Sequence, residues 1–188
     1  VLAACDSQPR LHRQQHFVLG TVVTIQAAGV SEERLREGAG AAFRTMRELH
    51  RALDPGADDN MLARFNDAPP GQWRPLPEPL ASLLPRALAV RRATDGAFDP
   101  TLGRLIGLWG FRSPPFPDAP PARAEVRRLV KVGAGRGPIA LRRTEAGLEA
   151  RMEGEGAALD LGGVAKGFAL DRAAAVLREH SITDALID

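Results

Sequence analysis

The segment DLGGVAKGFALD, residues 160–171, constrains the fold of this chain more than any other stretch. It follows a short apolar run and leads into apolar residues spaced as on one face of a helix, such as Ala173 and Leu177. The pattern predicts a strand, a glycine-rich turn and a helix. Gly162 and Gly163 lack a Cβ atom, so such a turn can adopt positive φ and admit a ligand close to the main chain.

A helix that begins at such a turn is a candidate site for an anion. Its first N–H groups have no partner within the helix and carry a partial positive charge, which suits phosphate. Lys166 would add a full positive charge about one turn into the helix. The glycine spacing matches neither a GxGxxG fingerprint nor a P-loop ending in GK[ST]. The pattern alone is equally compatible with a glycine turn that only joins a strand to a packing helix.

Two further motifs precede this segment, FVLGTVVTI at residues 17–25 and TDGAFDPTLGRLIGLWGF at residues 94–111. In their order and spacing, the three motifs resemble the ApbE family of FAD:protein FMN transferases. The resemblance extends from about residue 17 to residue 188. It implies an α+β fold of the ApbE-like (T-fold-like) type, with mixed or antiparallel sheets flanked by helices, and a Mg²⁺-dependent enzyme whose substrate is FAD.

The resemblance also assigns site residues to this sequence. The positions that it implies for FAD binding are Leu19, Ala97, Phe98, Asp99, Asp160 and Lys166. The backbone carbonyl of Gly163 would be one ligand of Mg²⁺. Leu19 stands where the family has the Met of an MGT motif, and an apolar contact with the flavin can survive that exchange. Considered alone, Asp99 would more often be a turn or capping residue, but the surrounding match favours the dinucleotide site.

The sequence departs from the family pattern in two places. Gly56 stands where the family usually has a Tyr that packs on the flavin, so FAD binding is expected to be weaker or to use another aromatic residue. In the family, the last strand, here within residues 182–188, continues into a Gly-Gly turn and a long segment that holds the remaining metal ligands. No catalytic residue is therefore assigned in this sequence, and the 188 residues by themselves are expected to be incomplete and inactive.

The resemblance implies that FMN is transferred from FAD to a Ser or Thr of an acceptor protein as a phosphoester, with release of AMP. Acceptors in the family include subunits of ion-pumping respiratory complexes. One alternative is an FAD pyrophosphatase on the same scaffold, in which water replaces the hydroxyl. A second alternative is a non-enzymatic flavin-binding lipoprotein, which the Gly56 position and the C-terminal end motivate.

The composition limits the class of protein to which the chain can belong. The chain has 188 residues, 44% of them apolar and 26% charged, which is enough for a hydrophobic core in one or two domains. Its net charge of +2 is small, and the pI of about 9.3 reflects many Arg against many carboxylates. A nucleic-acid partner is therefore not expected. The sequence contains no apolar run long enough for a membrane-spanning helix.

The only cysteine lies in VLAAC, residues 1–5, which is typical of a bacterial lipobox. Residues 1–4 would be the remnant of a signal peptide, Cys5 the lipidated first residue of the mature protein, and residues 5–15 a polar tether. Asp6 resembles a signal for retention at the inner membrane, which predicts a location on its periplasmic side. An ordinary buried cysteine is the alternative, which the polar neighbours disfavour.

Residues 16–188 are predicted to form the N-terminal majority of a single flavin transferase domain. Predicted strands cover residues 17–27, with Gly20 at a bulge, as well as residues 73–76, 158–161 and 182–188. Predicted helices cover residues 31–53, 80–94 with Pro85 as a kink or a new start, 124–132, and a short piece that ends at Asn66. A hairpin with Gly147 in its turn is predicted between these parts. Residues 97–111 and 112–123 are predicted to lack regular structure, with Trp109 and Phe111 packed to hold the first of these loops.

Overall fold

A computed structural model describes residues 10–111, 116–133, 139–154 and 156–188 of the chain, so the lipidation predicted at Cys5 lies outside the described residues. In chain order the elements are β1 (Leu11–Val18), β2 (Thr21–Ala28), α1 (Glu32–Leu53), α2 (Met61–Asn66), β3 (Arg74–Pro75), α3 (Leu80–Ala93), α4 (Gly103–Leu108), α5 (Arg123–Gly133), β4 (Ile139–Thr144), β5 (Gly147–Met152), α6 (Gly162–Glu179) and β6 (Ala185–Ile187). Helices accompany two antiparallel sheets, which confirms the α+β prediction. Among the described residues, no helix combines the length and the apolarity needed to cross a membrane.

The chain divides into two compact units. Unit 1 comprises residues 1–50 and 166–188, and unit 2 comprises residues 51–165. The boundaries fall within α1 and within α6. Each unit has its own antiparallel sheet, with the strand order β1-β2-β6 in unit 1 and β3-β5-β4 in unit 2.

The core of unit 1 forms on the apolar stripe of α1. Ser31 caps this helix, because its Oγ accepts a hydrogen bond from the Arg34 N–H at 3.2 Å. The predicted stripe is buried, with Leu35, Phe43 and Met46 at 1% exposure or less. These side chains belong to one cluster with residues of β2 and with apolar residues of α6, among them Ala169, Ala173 and Leu177. The helical periodicity thus identified the buried faces of both helices.

The N-terminal part of unit 1 differs from the prediction. Residues 11–18 form an edge strand that pairs residue by residue with β2, so the prediction of a polar tether is wrong for residues 11–15. The predicted single strand over residues 17–27 is in fact a hairpin. Leu19 and Gly20 both have positive φ, at 57° and 76°, as a two-residue type I′ turn requires, so Gly20 lies in a turn and not in a bulge. Polar residues suit β1 because an edge strand remains largely exposed.

Unit 2 confirms most of the local predictions. β4 and β5 form the expected hairpin, in which Gly147 has φ of 129° and pairs with Thr144. α3 runs through Pro85 without restarting. Its C-terminus is a Schellman motif, because the Gly96 N–H donates to the Arg91 carbonyl at 2.9 Å and the Asp95 N–H donates to the Arg92 carbonyl at 3.3 Å.

Three predictions for unit 2 were wrong. Residues 103–108 form α4 although two glycines lie within this helix, because backbone contacts with residue 158 outweigh their low helix propensity. Residues 158–161 form no strand, apart from one isolated parallel bridge between Leu102 and Ala158. Phe111 is 68% exposed and stacks on Trp109 at a centroid distance of 5.9 Å, so it does not pack into the unit. Residues 116–122 are largely exposed, as predicted, whereas residues 112–115 lie outside the described part of the chain.

Candidate functional site

The predicted dinucleotide loop and the Asp160 segment lie side by side in unit 2. The Asp160 N–H donates to the Pro100 carbonyl at 2.8 Å, and the Ala158 N–H donates to the Thr101 carbonyl at 3.4 Å. A third bond runs from the Gly103 N–H to the Ala158 carbonyl at 2.8 Å. Residues from two separate sequence motifs are therefore brought together by backbone hydrogen bonds.

Gly163 gives space to the ring of Phe98. A Cβ atom at position 163 would lie 2.9 Å from Phe98 Cε2, a distance that real side chains do not tolerate. Gly162 and Gly163 form the first turn of α6 and not a separate turn, and neither has positive φ. The glycine at position 163 is thus required for close approach of a side chain, and the prediction of a separate turn with positive φ is wrong. Ala97, next to Phe98, is exposed.

Asp160 lies just before α6 and is half-buried. Its Oδ1 accepts a hydrogen bond from the Gly162 N–H at 3.0 Å, and its negative charge is favourable beside the N-terminus of a helix. Within the described residues, Oδ2 of this carboxylate has no hydrogen-bond donor. Asp160 can therefore accept a hydrogen bond from a ligand without losing its structural contact.

Asp99 is engaged by protein groups on both carboxylate oxygens. Oδ1 accepts hydrogen bonds from the Thr101 N–H at 2.9 Å and from Thr101 Oγ1 at 2.6 Å. Oδ2 accepts from Arg91 Nε at 2.7 Å, and the Asp99 side chain is only 7% exposed. The turn role that the local sequence suggested for Asp99 is what the structure shows. The sequence analysis did not identify Arg91, because an arginine in the last turn of a helix is too common to signal a partner.

Asn66 holds the segment before Asp160. Its Nδ2 donates to the Leu159 carbonyl at 2.9 Å, and its Oδ1 accepts from the Leu159 N–H at 2.7 Å. Both bonds join residues 93 positions apart. Asn66 ends α2, as its sequence context predicted, but its contact with Leu159 was not foreseen.

The other two predicted FAD contacts belong to unit 1. Leu19 is the first residue of the type I′ turn, where positive φ is uncommon for a side chain of this size, and it packs partly against the unit 1 core. Lys166 is exposed on α6. The remaining predicted contacts, at residues 97–99 and at Asp160, belong to unit 2.

Unit 2 also contains a cavity of about 470 Å³ with mixed charge. Its walls come from the loop before α2, from α2, α4 and α5, and from Ala158; they carry three carboxylates and two guanidinium groups. Pro55 and Ala57 line it, and Gly56 between them is exposed. The Gly56 N–H donates to Asp54 Oδ1 at 2.9 Å, which is an Asx turn.

The described residues contain no cluster of metal-ligating side chains. Among them, no group of three or more His, Cys, Asp or Glu side chains is placed to hold a metal ion. The carbonyl of Gly163 lies in the first turn of α6, where helix geometry directs it towards the N–H four residues later. Mg²⁺ takes about six oxygen ligands, and one carbonyl does not supply them.

Comparisons with known proteins give one consistent family. The model of the ApbE family matches residues 19–188. A FAD:protein FMN transferase of Rhodobacter capsulatus is 33% identical over 175 residues, which cover 92% of this chain and 32% of that protein. A FAD:protein FMN transferase of Treponema pallidum is 27% identical over 205 residues, which cover 100% of this chain and 52% of that protein.

Solved structures agree on the fold. The ApbE protein of Thermotoga maritima aligns with a TM-score of 0.80 and 29% identity, over 95% of this chain and 56% of that chain. The flavin transferase ApbE of Vibrio cholerae aligns with a TM-score of 0.84 and 21% identity, over 96% of this chain and 57% of that chain, and this likeness shows the fold alone. The present chain thus spans about half the length of these relatives, and 32% in the Rhodobacter case.

Proposed function

This chain belongs to the ApbE family, and from that membership we propose that the protein transfers FMN from FAD to a Ser or Thr hydroxyl of an acceptor protein. The observation that carries the proposal is the family match over residues 19–188. The FAD:protein FMN transferases that resemble the chain over nine-tenths or more of its length support it. Subunits of ion-pumping respiratory complexes are the proposed acceptors.

In this reaction, the hydroxyl oxygen of the acceptor attacks the phosphorus on the FMN side of the FAD pyrophosphate. A new P–O bond forms, the bond from that phosphorus to the bridging oxygen breaks, and AMP leaves with the bridging oxygen. The hydroxyl proton passes to solvent or to a general base. No described residue is assigned the role of that base. The transfer conserves the pyrophosphate's two phosphorus atoms, one in the phosphoester and one in AMP.

The chain's own residues would bind and orient FAD. Asp160 accepts a hydrogen bond from FAD through its Oδ2, and Lys166 contributes positive charge towards the phosphates. The backbone carbonyls of Ala97 and Phe98 are proposed as acceptors for the nucleotide, because the N–H groups of both residues already donate to Thr94. Leu19 provides an apolar contact for the flavin, and the strain of its positive φ is compatible with a functional position.

The proposed reaction is Mg²⁺-dependent, since a metal ion neutralises charge on the phosphoryl oxygens during such transfers. The Gly163 carbonyl is the one candidate ligand that this chain offers among the described residues, and a complete site needs ligands beyond them. Chelation of Mg²⁺ is expected to abolish transfer.

The protein expressed from its complete gene, mixed with FAD, Mg²⁺ and an acceptor domain that carries an exposed Thr, tests the proposal through the acceptor's intact mass. A gain of one FMN, lost after chelation, is the expected result. Accumulation of AMP and free FMN with an unmodified acceptor would instead establish a pyrophosphatase. Intact FAD that is bound but not cleaved would establish a flavin-binding protein.

The proposal includes a lipid anchor at Cys5 on the periplasmic side of the bacterial inner membrane. The sequence Leu2-Ala3-Ala4-Cys5 and the following Asp6 support it. In a bacterium that processes lipoproteins, the wild-type protein is expected in the membrane fraction with an acylated N-terminal peptide, and Cys5→Ser is expected to lose both properties. Equal membrane association of the two proteins would contradict the anchor.

Replacing Gly163 with Ala is expected to weaken FAD binding about tenfold with little loss of stability. The added Cβ would lie 2.9 Å from Phe98 Cε2, so the ring must move and the loop that carries it shifts. The cost of this movement is offset by the higher helix propensity of Ala, which is worth about 1 kcal/mol. Titration of FAD by flavin fluorescence measures the affinity, and urea unfolding measures the stability.

Gly167→Ala is the matched control, because it lies in the same helix and its added Cβ would meet no atom within 4 Å. It is expected to retain wild-type FAD affinity. Equal affinity of the Gly163→Ala protein and the wild-type protein would show that the position of Phe98 does not matter for binding.

A further inference from the structure

We propose that Arg91 is a positioning residue for the nucleotide loop, and that it acts through its ion pair with Asp99. This inference rests on the proposed FAD-binding function. It assigns Asp99 a role in holding the loop, in place of direct contact between its carboxylate and the nucleotide.

The Asp99 carboxylate has little hydrogen-bonding capacity left for a ligand. Three donors already reach it, two from Thr101 and one from Arg91, at 2.6–2.9 Å. A carboxylate has about four acceptor positions, so little capacity remains. With 7% of the side chain exposed, a ligand has almost no access to it.

The loop that contains Asp99 is attached to its surroundings at both ends and at Asp99 itself. At its start, the Ala97 N–H donates to the Thr94 carbonyl at 2.9 Å and the Phe98 N–H donates to Thr94 Oγ1 at 3.2 Å. At its end, the Asp160 N–H donates to the Pro100 carbonyl at 2.8 Å. Between these points, the Arg91–Asp99 pair is the side-chain contact that joins the loop to the body of α3. The pair therefore fixes the part of the loop that lies between Phe98 and the Asp160 segment.

The ion pair between Arg91 and Asp99 also neutralises a negative charge within the loop. The Arg91 side chain is 22% exposed and its partner 7% exposed, so the pair is largely removed from solvent and only weakly screened. Removal of Arg91 leaves a nearly buried, uncompensated carboxylate. That negative charge lies in the same loop as the main-chain groups proposed to bind FAD, whose pyrophosphate is a dianion. Loss of Arg91 thus weakens binding in two ways, by releasing the loop and by adding repulsion.

The experiment measures the FAD dissociation constant and the steady-state kinetics of four test variants and one control variant of the protein expressed from its complete gene. Arg91→Met removes the charge and the donor at similar length, and Asp99→Asn keeps an acceptor for Thr101 while removing the charge. The double variant combines them. Arg91→Lys keeps the charge without the planar Nε–H donor and is expected to recover part of the affinity. Arg92→Met, which replaces the exposed neighbouring arginine, is the matched control.

Arg91→Met and Asp99→Asn are each expected to raise the dissociation constant about tenfold, and the double variant no more than the weaker-binding single variant, because the two residues act as one unit. At saturating FAD, kcat is expected to stay within about twofold of wild type, since bound FAD restores the loop. A purely structural pair would lower the unfolding midpoint and leave the dissociation constant unchanged at temperatures where the variants are folded.

Additive losses in the double variant, or an Arg91→Met protein that binds FAD as wild type does, would overturn the inference. If Arg91→Met does not fold, the comparison of Arg91→Lys with Asp99→Asn decides, and wild-type affinity in both would overturn the inference equally. Failure of the FAD binding on which the inference rests has a different signature, because the wild-type protein itself would then not bind FAD.

Discussion

Replacing Asn66 with Ala is expected to lower the free energy of unfolding of unit 2 by about 2–4 kcal/mol. The Asn66 side chain satisfies both backbone groups of Leu159, which has 0% exposure. Its loss leaves a buried N–H and a buried carbonyl without partners, and each such group costs about 1–3 kcal/mol. The better helix propensity of Ala recovers about half a kcal/mol, because Asn66 is the last residue of α2.

Urea unfolding followed by tryptophan fluorescence measures this effect. The two tryptophans of the sequence, Trp73 and Trp109, both lie in unit 2, so their fluorescence reports on the unit that contains Asn66. Asn66→Asp is expected to lose an intermediate amount, since its carboxylate still accepts from the Leu159 N–H but repels the Leu159 carbonyl. Gln72→Ala, an exposed amide in the same unit, is expected to change the stability by less than about 0.5 kcal/mol. If the urea unfolding midpoint of Asn66→Ala equals that of Gln72→Ala, Asn66 does not stabilise unit 2 through Leu159.

The sequence predicted those elements whose formation depends on local pattern. The α1 stripe, the Asn66 end of α2 and the hairpin at Gly147 each follow from periodicity or from a turn residue within a few positions. The buried helix faces were predicted correctly for the same reason, because the apolar stripe of an amphipathic helix faces the hydrophobic core. These features can be predicted without knowing which distant segment of the chain packs against them.

The errors share a different cause, which is dependence on a distant partner. The sequence of β1 predicts a polar tether because apolar and polar residues alternate only weakly in it. Its pairing with β2 is what makes it a strand. The glycines of α4 predict a loop. In the structure, however, Gly103 lets this helix pack closely against the backbone of Ala158 and Leu159. In both cases, tertiary contact overrides a local preference that was interpreted correctly.

The candidate site combines both kinds of information. The motifs identified residues 97–99 and Asp160 as neighbours, and the structure joins these segments by backbone hydrogen bonds. The residues that hold the segments in place, Arg91 and Asn66, carry no local signal, because each acts on a partner chosen by the fold. Residues that belong to a sequence motif are therefore easier to find from sequence than the residues that hold the motif in place.

Replacing Gly103 with Ala is expected to lower the free energy of unfolding by about 3 kcal/mol, because the added Cβ would lie 2.8 Å from the carbonyl oxygens of Ala158 and Leu159. These are backbone atoms and cannot rotate away as a side chain can. The nearest relief is a shift of residues 158–160 away from α4, which would break the bond from the Gly103 N–H to the Ala158 carbonyl and move Asp160.

The same urea titration measures this loss, and Gln72→Ala, which also lies in unit 2, is again the control, because it is expected to change the stability by less than about 0.5 kcal/mol. The Gly103→Ala protein is also expected to bind FAD more weakly under conditions where it is folded, since the Asp160 carboxylate would no longer lie beside the nucleotide loop. A Gly103→Ala protein as stable as wild type would show that α4 can move without cost, and the loop and the Asp160 segment would then be less rigidly joined than their three hydrogen bonds imply.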